Sequence, residues 1–127
     1  MATSLLSWAL GRKKSFGYAI NGLGALYRET NARIHAAATV LVIGLGAALG
    51  LTSLEWTLLA IAATLVWVAE ALNTALEALS DAAVPEHSPH IAIAKDVAAG
   101  AVLLASLGAA AVGLLVFVPH LMARFAF

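Results

Sequence analysis

The chain has no cysteine among its 127 residues, which excludes disulfide frameworks, thiolate metal centres and cysteine nucleophiles. Charge is scarce too. Asp, Glu, Lys and Arg make up 11% of the residues against 62% hydrophobic ones, a balance outside that of ordinary soluble domains. The seven cations and seven anions cancel, which argues against a nucleic-acid partner and against a charged disordered tail. His87, His90 and His120 have neither HExxH spacing nor cysteine partners, so no zinc site is expected and these rings are read as solvated.

What the chain does have is long apolar runs. No charged residue lies between Arg33 and Glu55, and at ~1.5 Å per residue such a run matches the hydrocarbon thickness of a bilayer. The fold class expected is an all-α integral membrane protein in one domain over residues 1–127. Its parts are an interfacial amphipathic segment (1–32), three transmembrane helices (34–54, 56–80 and 96–118), a connection (81–95) with helix-breaking Pro85 and Pro89, and a C-terminal tail (119–127). The first segment is too short in apolar residues for a secretory signal, and Gly11, Gly17, Gly22 and Gly24 predict a kinked or two-part helix there. Six of the seven cations, all except Arg124, fall on one side of the three crossings. The positive-inside rule then places the N-terminus in the cytoplasm and the C-terminus outside.

Carboxylates inside the second apolar run demand a reason, since a charge near the bilayer centre costs upward of ~2.5 kcal/mol. At about 100° per residue, Glu70, Asn73, Glu77 and Asp81 share one stripe of that helix. The stripe must face a partner helix or a wet cavity. Helix glue accounts for Asn73 as well as function does, but repeated acids on one face are read as functional. Glu29, Glu77 and Asp81 fall near the cytoplasmic boundary, and Glu70 lies about 10 Å deeper than Glu77. Shallow carboxylates suit a hard cation such as Mg²⁺ held together with phosphates. The deeper carboxylate suits a general base toward a hydroxyl presented from the bilayer, and Lys95 beside Asp96 supplies positive charge for phosphate oxygens. These are the parts of phosphoryl transfer. No Walker sequence and no protein-kinase signature is present, so a nucleotide site would have to be built from the membrane helices.

The run Glu70-Ala71-Leu72-Asn73-Thr74-Ala75-Leu76-Glu77-Ala78-Leu79-Ser80-Asp81, followed by Ala94-Lys95-Asp96-Val97-Ala98-Ala99-Gly100-Ala101-Val102-Leu103, strongly resembles the small prokaryotic diacylglycerol kinase and undecaprenol kinase family. The resemblance runs from Phe16 through Glu29-Thr30-Asn31-Ala32-Arg33-Ile34-His35 to Phe117-Val118-Pro119. It implies a homotrimer in the bacterial inner membrane that uses Mg²⁺ and ATP to phosphorylate a lipid alcohol at the cytoplasmic surface. It implies Glu70 as catalytic base with Asn73 beside the reacting groups, and Glu29 with Glu77 as the metal pair. ATP contacts would come from Tyr18, Glu29, Glu77, Glu86, Lys95, Asp96 and, across an apparent one-residue gap, Arg12. Lipid contacts would come from Glu70, Ala99, Arg33 and His35. The chain reads Glu86-His87-Ser88 where the family usually has Glu-Tyr-His. Its Asn73-Thr74-Ala75 and Arg33-Ile34-His35 versions resemble the undecaprenol branch more than the diacylglycerol branch, which stands as the alternative.

A reading from another class is a small oligomeric ion or proton channel, with Glu70, Asn73 and Glu77 of each copy lining a central pore. Among the remaining residues, Trp56 with Glu55 is expected to anchor at the outer interface and Trp67 to pack inside its span. Arg28 and Arg33 are expected to snorkel at the boundary. Gly44, Gly46, Gly50, Gly100, Gly108 and Gly113 are expected at close helix contacts.

Overall fold

The computed structural model describes residues 2–84, 86 and 88–125, with the side chains of residues 1–11 and 13 outside the description. Pro85 and His87, whose role the sequence left open, therefore lie outside the described residues. Four helices follow in chain order: α1 (Ala2–Leu26), α2 (Thr30–Leu49), α3 (Ser53–Ala83) and α4 (Pro89–Phe125). The last three are each long and apolar enough to cross a membrane. Despite its glycines, α1 is one continuous helix where a kink or break was expected. On α1, Phe16, Tyr18, Ile20 and Leu23 are exposed.

The helix ends explain themselves locally. Gly50 closes α2 in the left-handed region at φ 70°, the one positive φ among the described residues, with its N–H bonded to the Gly46 carbonyl. Two residues on, Thr52 opens α3 with a capping box: its hydroxyl accepts from the Glu55 N–H, and the Glu55 carboxylate accepts from the Thr52 N–H at 2.7 Å. Pro89 sits at the first position of α4, where its missing N–H has no partner to lose. It therefore starts a helix rather than interrupting a loop, and α4 reaches back through Lys95 to narrow the connection.

Packing is led by α3 against α4, with α2 against both. At one end of the bundle Leu51, Leu59, Val116 and Phe117 form a buried apolar cluster, with Trp56 partly buried against it. Gly46 leaves room there for the Trp56 ring. A Cβ on Gly46 would stand 2.6 Å from the Trp56 ring, so this position has no space for a side chain. Of the six glycines expected at close contacts, Gly46 alone meets another helix this way. Gly44, Gly50, Gly100 and Gly108 have nothing within 4 Å of an added Cβ, and Gly113 meets only Phe117 of its own helix. We predict that Gly46→Ala lowers stability by about 1–3 kcal/mol through overpacking, whereas Gly44→Ala does not destabilise. Thermal unfolding of both variants in detergent checks this, and equal midpoints for the two would refute it.

His120, expected to be solvated, is half-buried and bonds the Glu55 carboxylate at 2.8 Å. The pair ties the first turn of α3 to the end of α4 just past Pro119. The reason lies in the antiparallel pairing of two long helices, which brings residues 65 apart in sequence to the same level.

Candidate active site

The buried face of α3 changes character along its length. Leu59, Ala62 and Val66 are buried and apolar, and then the same three- and four-residue spacing delivers Glu70, Asn73 and Ser80. Glu70 is 1% exposed and Asn73 6%. Both face an open-sided cavity of about 300 Å³ between α2, α3 and α4, with Glu77, Asn31, Ile34, His35, Ala99, Val102, Leu103 and Ser106 completing its walls. The stripe read from the sequence therefore lines one site as far as Glu77. Asp81 does not join it: its carboxylate is exposed and takes the Lys95 ammonium at 2.8 Å.

Inside the cavity the Asn73 amide donates to Glu77 Oε1 at 3.2 Å. His35 Nε2 stands 3.8 Å from Glu70 Oε2, too far for a hydrogen bond. Three buried polar atoms, His35 Nε2, Glu70 Oε2 and Asn73 Oδ1, are left without partners. Buried polar groups are almost always hydrogen-bonded, and each orphan costs roughly 1–3 kcal/mol. Three in one cavity mark a place built for something polar that the chain alone does not supply. Two apolar grooves adjoin it, one of about 490 Å³ that shares Ile34, His35 and Ser106, the other of about 660 Å³ that shares Asn73.

The remaining candidates stand around the cavity mouth or apart from it. Glu29, at the start of α2, is exposed and lies within charge–charge range of Glu70, as does Glu77. Arg33 turns away to bond the Tyr27 carbonyl at 3.3 Å. Tyr18 is exposed on α1, Glu86 is exposed in the connection, and Asp96 is exposed beside half-buried Lys95. Arg12 is also exposed and takes part in an interaction of its own. Lys95 is held by Asp81 in an ion pair at 2.8 Å.

Sequence reasoning missed Asn31 and Ser106. For Ser106 a signal was present: it is the one polar side chain between Asp96 and His120, and it points into the cavity wall. A channel with these carboxylates on a central axis would need them on an outer face of each copy. Burial of Glu70 and Asn73 among helices of a single chain removes that arrangement.

A deep carboxylate, a shallower one bonded to the Asn73 amide, and a cation nearby are compatible with the chemistry of a membrane phosphotransferase. Residues 17–117 match the family model described as prokaryotic diacylglycerol kinase, and the chain belongs to that family. Among its relatives, a diacylglycerol kinase of Synechocystis sp. is 42% identical over 110 residues, covering 85% of this chain and 63% of the relative. An undecaprenol kinase of Bacillus subtilis is 37% identical over 109 residues, covering 85% of this chain and 89% of the relative. The chain thus spans less than two thirds of the length of the first relative. Both relatives are named as kinases, so the family is one of prokaryotic lipid kinases, and its helices long and apolar enough for a bilayer mark this member as a membrane protein.

Proposed function

We propose that this chain is an ATP- and Mg²⁺-dependent lipid kinase that phosphorylates the hydroxyl of a membrane lipid alcohol, with undecaprenol favoured over diacylglycerol. The single observation that carries the reading is the open-sided cavity holding Glu70 Oε2, Asn73 Oδ1 and His35 Nε2 unpartnered, next to Glu77. An alcohol entering from the bilayer gives Glu70 a hydroxyl to bond. As its oxygen forms the new bond to the γ-phosphorus and the bond to the leaving diphosphate breaks, the hydroxyl proton passes to the Glu70 carboxylate. Burial of Glu70 limits the access of water to that carboxylate.

Glu77 and Glu29 offer carboxylate oxygens, and among the described residues no group of three His, Asp or Glu side chains could hold an ion by itself, which fits a hard divalent ion held largely by phosphate oxygens. Bound there, Mg²⁺ would neutralise charge on the phosphates. Lys95 and Asp96 would border the nucleotide, with Tyr18, Glu86 and Arg12 toward its base and sugar. His35, Ala99 and Arg33 would border the lipid, and the apolar groove beyond His35 and Ser106 would take the hydrocarbon chain. We place the site and the N-terminus in the cytoplasm and the C-terminus outside, with α1 lying amphipathically on the membrane surface and three copies forming the working enzyme. The undecaprenol preference rests on the Asn73-Thr74-Ala75 and Arg33-Ile34-His35 versions of the motifs.

Purified chain in lipid micelles, supplied with Mg²⁺ and ATP, is expected to phosphorylate undecaprenol at least about tenfold faster than diacylglycerol, a ratio within reach of contacts along one apolar groove. The opposite ratio would reassign the substrate. No phosphorylation of either alcohol would reject the kinase reading.

A further inference from the structure

Two helical pairs face each other beside the cavity. On α2, His35 and Thr39 are one turn apart. On α3, Trp67 and Glu70 are also one turn apart. His35 lies opposite Glu70, and Thr39 lies opposite Trp67. The Thr39 hydroxyl donates to the His35 carbonyl at 2.7 Å and accepts the Trp67 indole N–H at 3.2 Å. A hydroxyl has one hydrogen and two lone pairs, so the bond to the carbonyl uses its only hydrogen and leaves oxygen lone pairs for the indole. The Trp67 ring then meets the His35 imidazole in a T-shaped contact, centroids 6.4 Å apart and planes at 68°. Thr39 thus holds the Trp67 indole, and the Trp67 ring in turn packs against the His35 imidazole.

What His35 is held for follows from the gap. Its Nε2 and Glu70 Oε2 are 3.8 Å apart and both unpartnered. One oxygen atom about 2.8 Å from each closes that triangle at ordinary hydrogen-bond lengths. A single alcohol group fits there, accepting from the imidazole N–H while donating to the carboxylate. The alcohol oxygen keeps a second lone pair for the phosphorus.

We propose that Thr39 and Trp67 are positioning residues that brace His35 so that it and Glu70 together seat the acceptor hydroxyl in line for attack. The inference rests on the kinase reading above. Its chemistry adds no new bond change: His35 holds the oxygen, and Glu70 still receives the proton. A brace of this kind matters because an error of about 1 Å in the reacting geometry costs up to about 100-fold in rate.

The test uses the full chain in lipid micelles, with Thr39→Val, Thr39→Ser, Trp67→Phe, His35→Ala and the double variant Thr39→Val/His35→Ala. Thr39→Val and Trp67→Phe are each expected to lower kcat about tenfold, leaving KM for ATP unchanged. Thr39→Ser, which keeps the hydroxyl, restores most of the turnover. Thr39→Val adds no further loss once His35 is alanine, as coupled residues require. The Trp67 indole N–H cross-peak, assigned by its loss in Trp67→Phe, moves in Thr39→Val and stays in Thr39→Ser. An unmoved cross-peak, wild-type kcat in Thr39→Val, or an equal loss on top of His35→Ala would overturn the brace. Wild-type protein that phosphorylates no lipid would instead reject the underlying kinase reading, an outcome distinct from active enzyme that is indifferent to Thr39.

Discussion

Glu70→Gln is expected to abolish lipid phosphorylation, with kcat reduced by about 10³-fold, while Mg-ATP still binds. A positioned general base contributes about 10²–10⁴-fold, and glutamine keeps the size and polarity of the side chain but not its ability to take a proton. The substitution is mild for the fold. Glu70 is 1% exposed, and its Oε2 bonds nothing within the chain, so an amide there breaks no hydrogen bond of that oxygen. Circular dichroism and the thermal midpoint in detergent should therefore match the wild type or exceed it. Nucleotide affinity, measured by calorimetry with a non-hydrolysable ATP analogue, should change less than about threefold, because Glu77 and Lys95 remain. Turnover within about tenfold of wild type in Glu70→Gln would remove Glu70 from the base role. An alternative base would then be sought among the cavity walls, with His35 first.

How much of this could be read from residues alone differs by feature. The acidic stripe was legible because helical periodicity converts spacing directly into a face, and because carboxylates in an apolar run are expensive enough to be informative. The same logic failed at Asp81: one turn beyond Glu77 the helix leaves the cavity, and the position of Lys95 on α4 decides its partner. Composition shows which glycines allow close approach, but within one chain only the crossing of α2 with the start of α3 decides that Gly46 is the one so used. His120 was read as solvated for want of a motif, yet its partner Glu55 is 65 residues away, a distance no local pattern spans. Thr39 and Trp67 look like ordinary span residues in a list, and their bond exists only once α2 and α3 pair antiparallel. The roles of Glu29 and Glu77 came from the family motifs, because their shared proximity to Glu70 arises only when the start of α2 meets α3.

Glu77→Gln is expected to act on the nucleotide side of the reaction, raising KM for Mg-ATP about tenfold to 100-fold and shifting the Mg²⁺ dependence to higher concentration. A hard cation is bound through charge on oxygen, and with one or two carboxylates per ion the loss of one is a large fraction of the protein's contribution. The neutral amide also loses the better acceptor now facing the Asn73 Nδ2 at 3.2 Å, so Asn73 becomes freer to turn toward Glu70. Some loss of kcat should accompany the rise in KM for that reason. Glu77→Asp keeps the charge on a shorter arm and should fall between the two, with more of its activity recovered by added Mg²⁺ than in Glu77→Gln. Titrating Mg²⁺ at fixed ATP in all three proteins separates the metal role from a purely structural one. If Glu77 served only to hold Asn73, the aspartate and glutamine variants would share the wild-type Mg²⁺ midpoint and differ from it in maximal rate alone. Opposite signatures in Glu70→Gln and Glu77→Gln, the first in kcat and the second in Mg-ATP affinity, would place proton transfer and phosphate neutralisation on two carboxylates seven residues apart on one helix face.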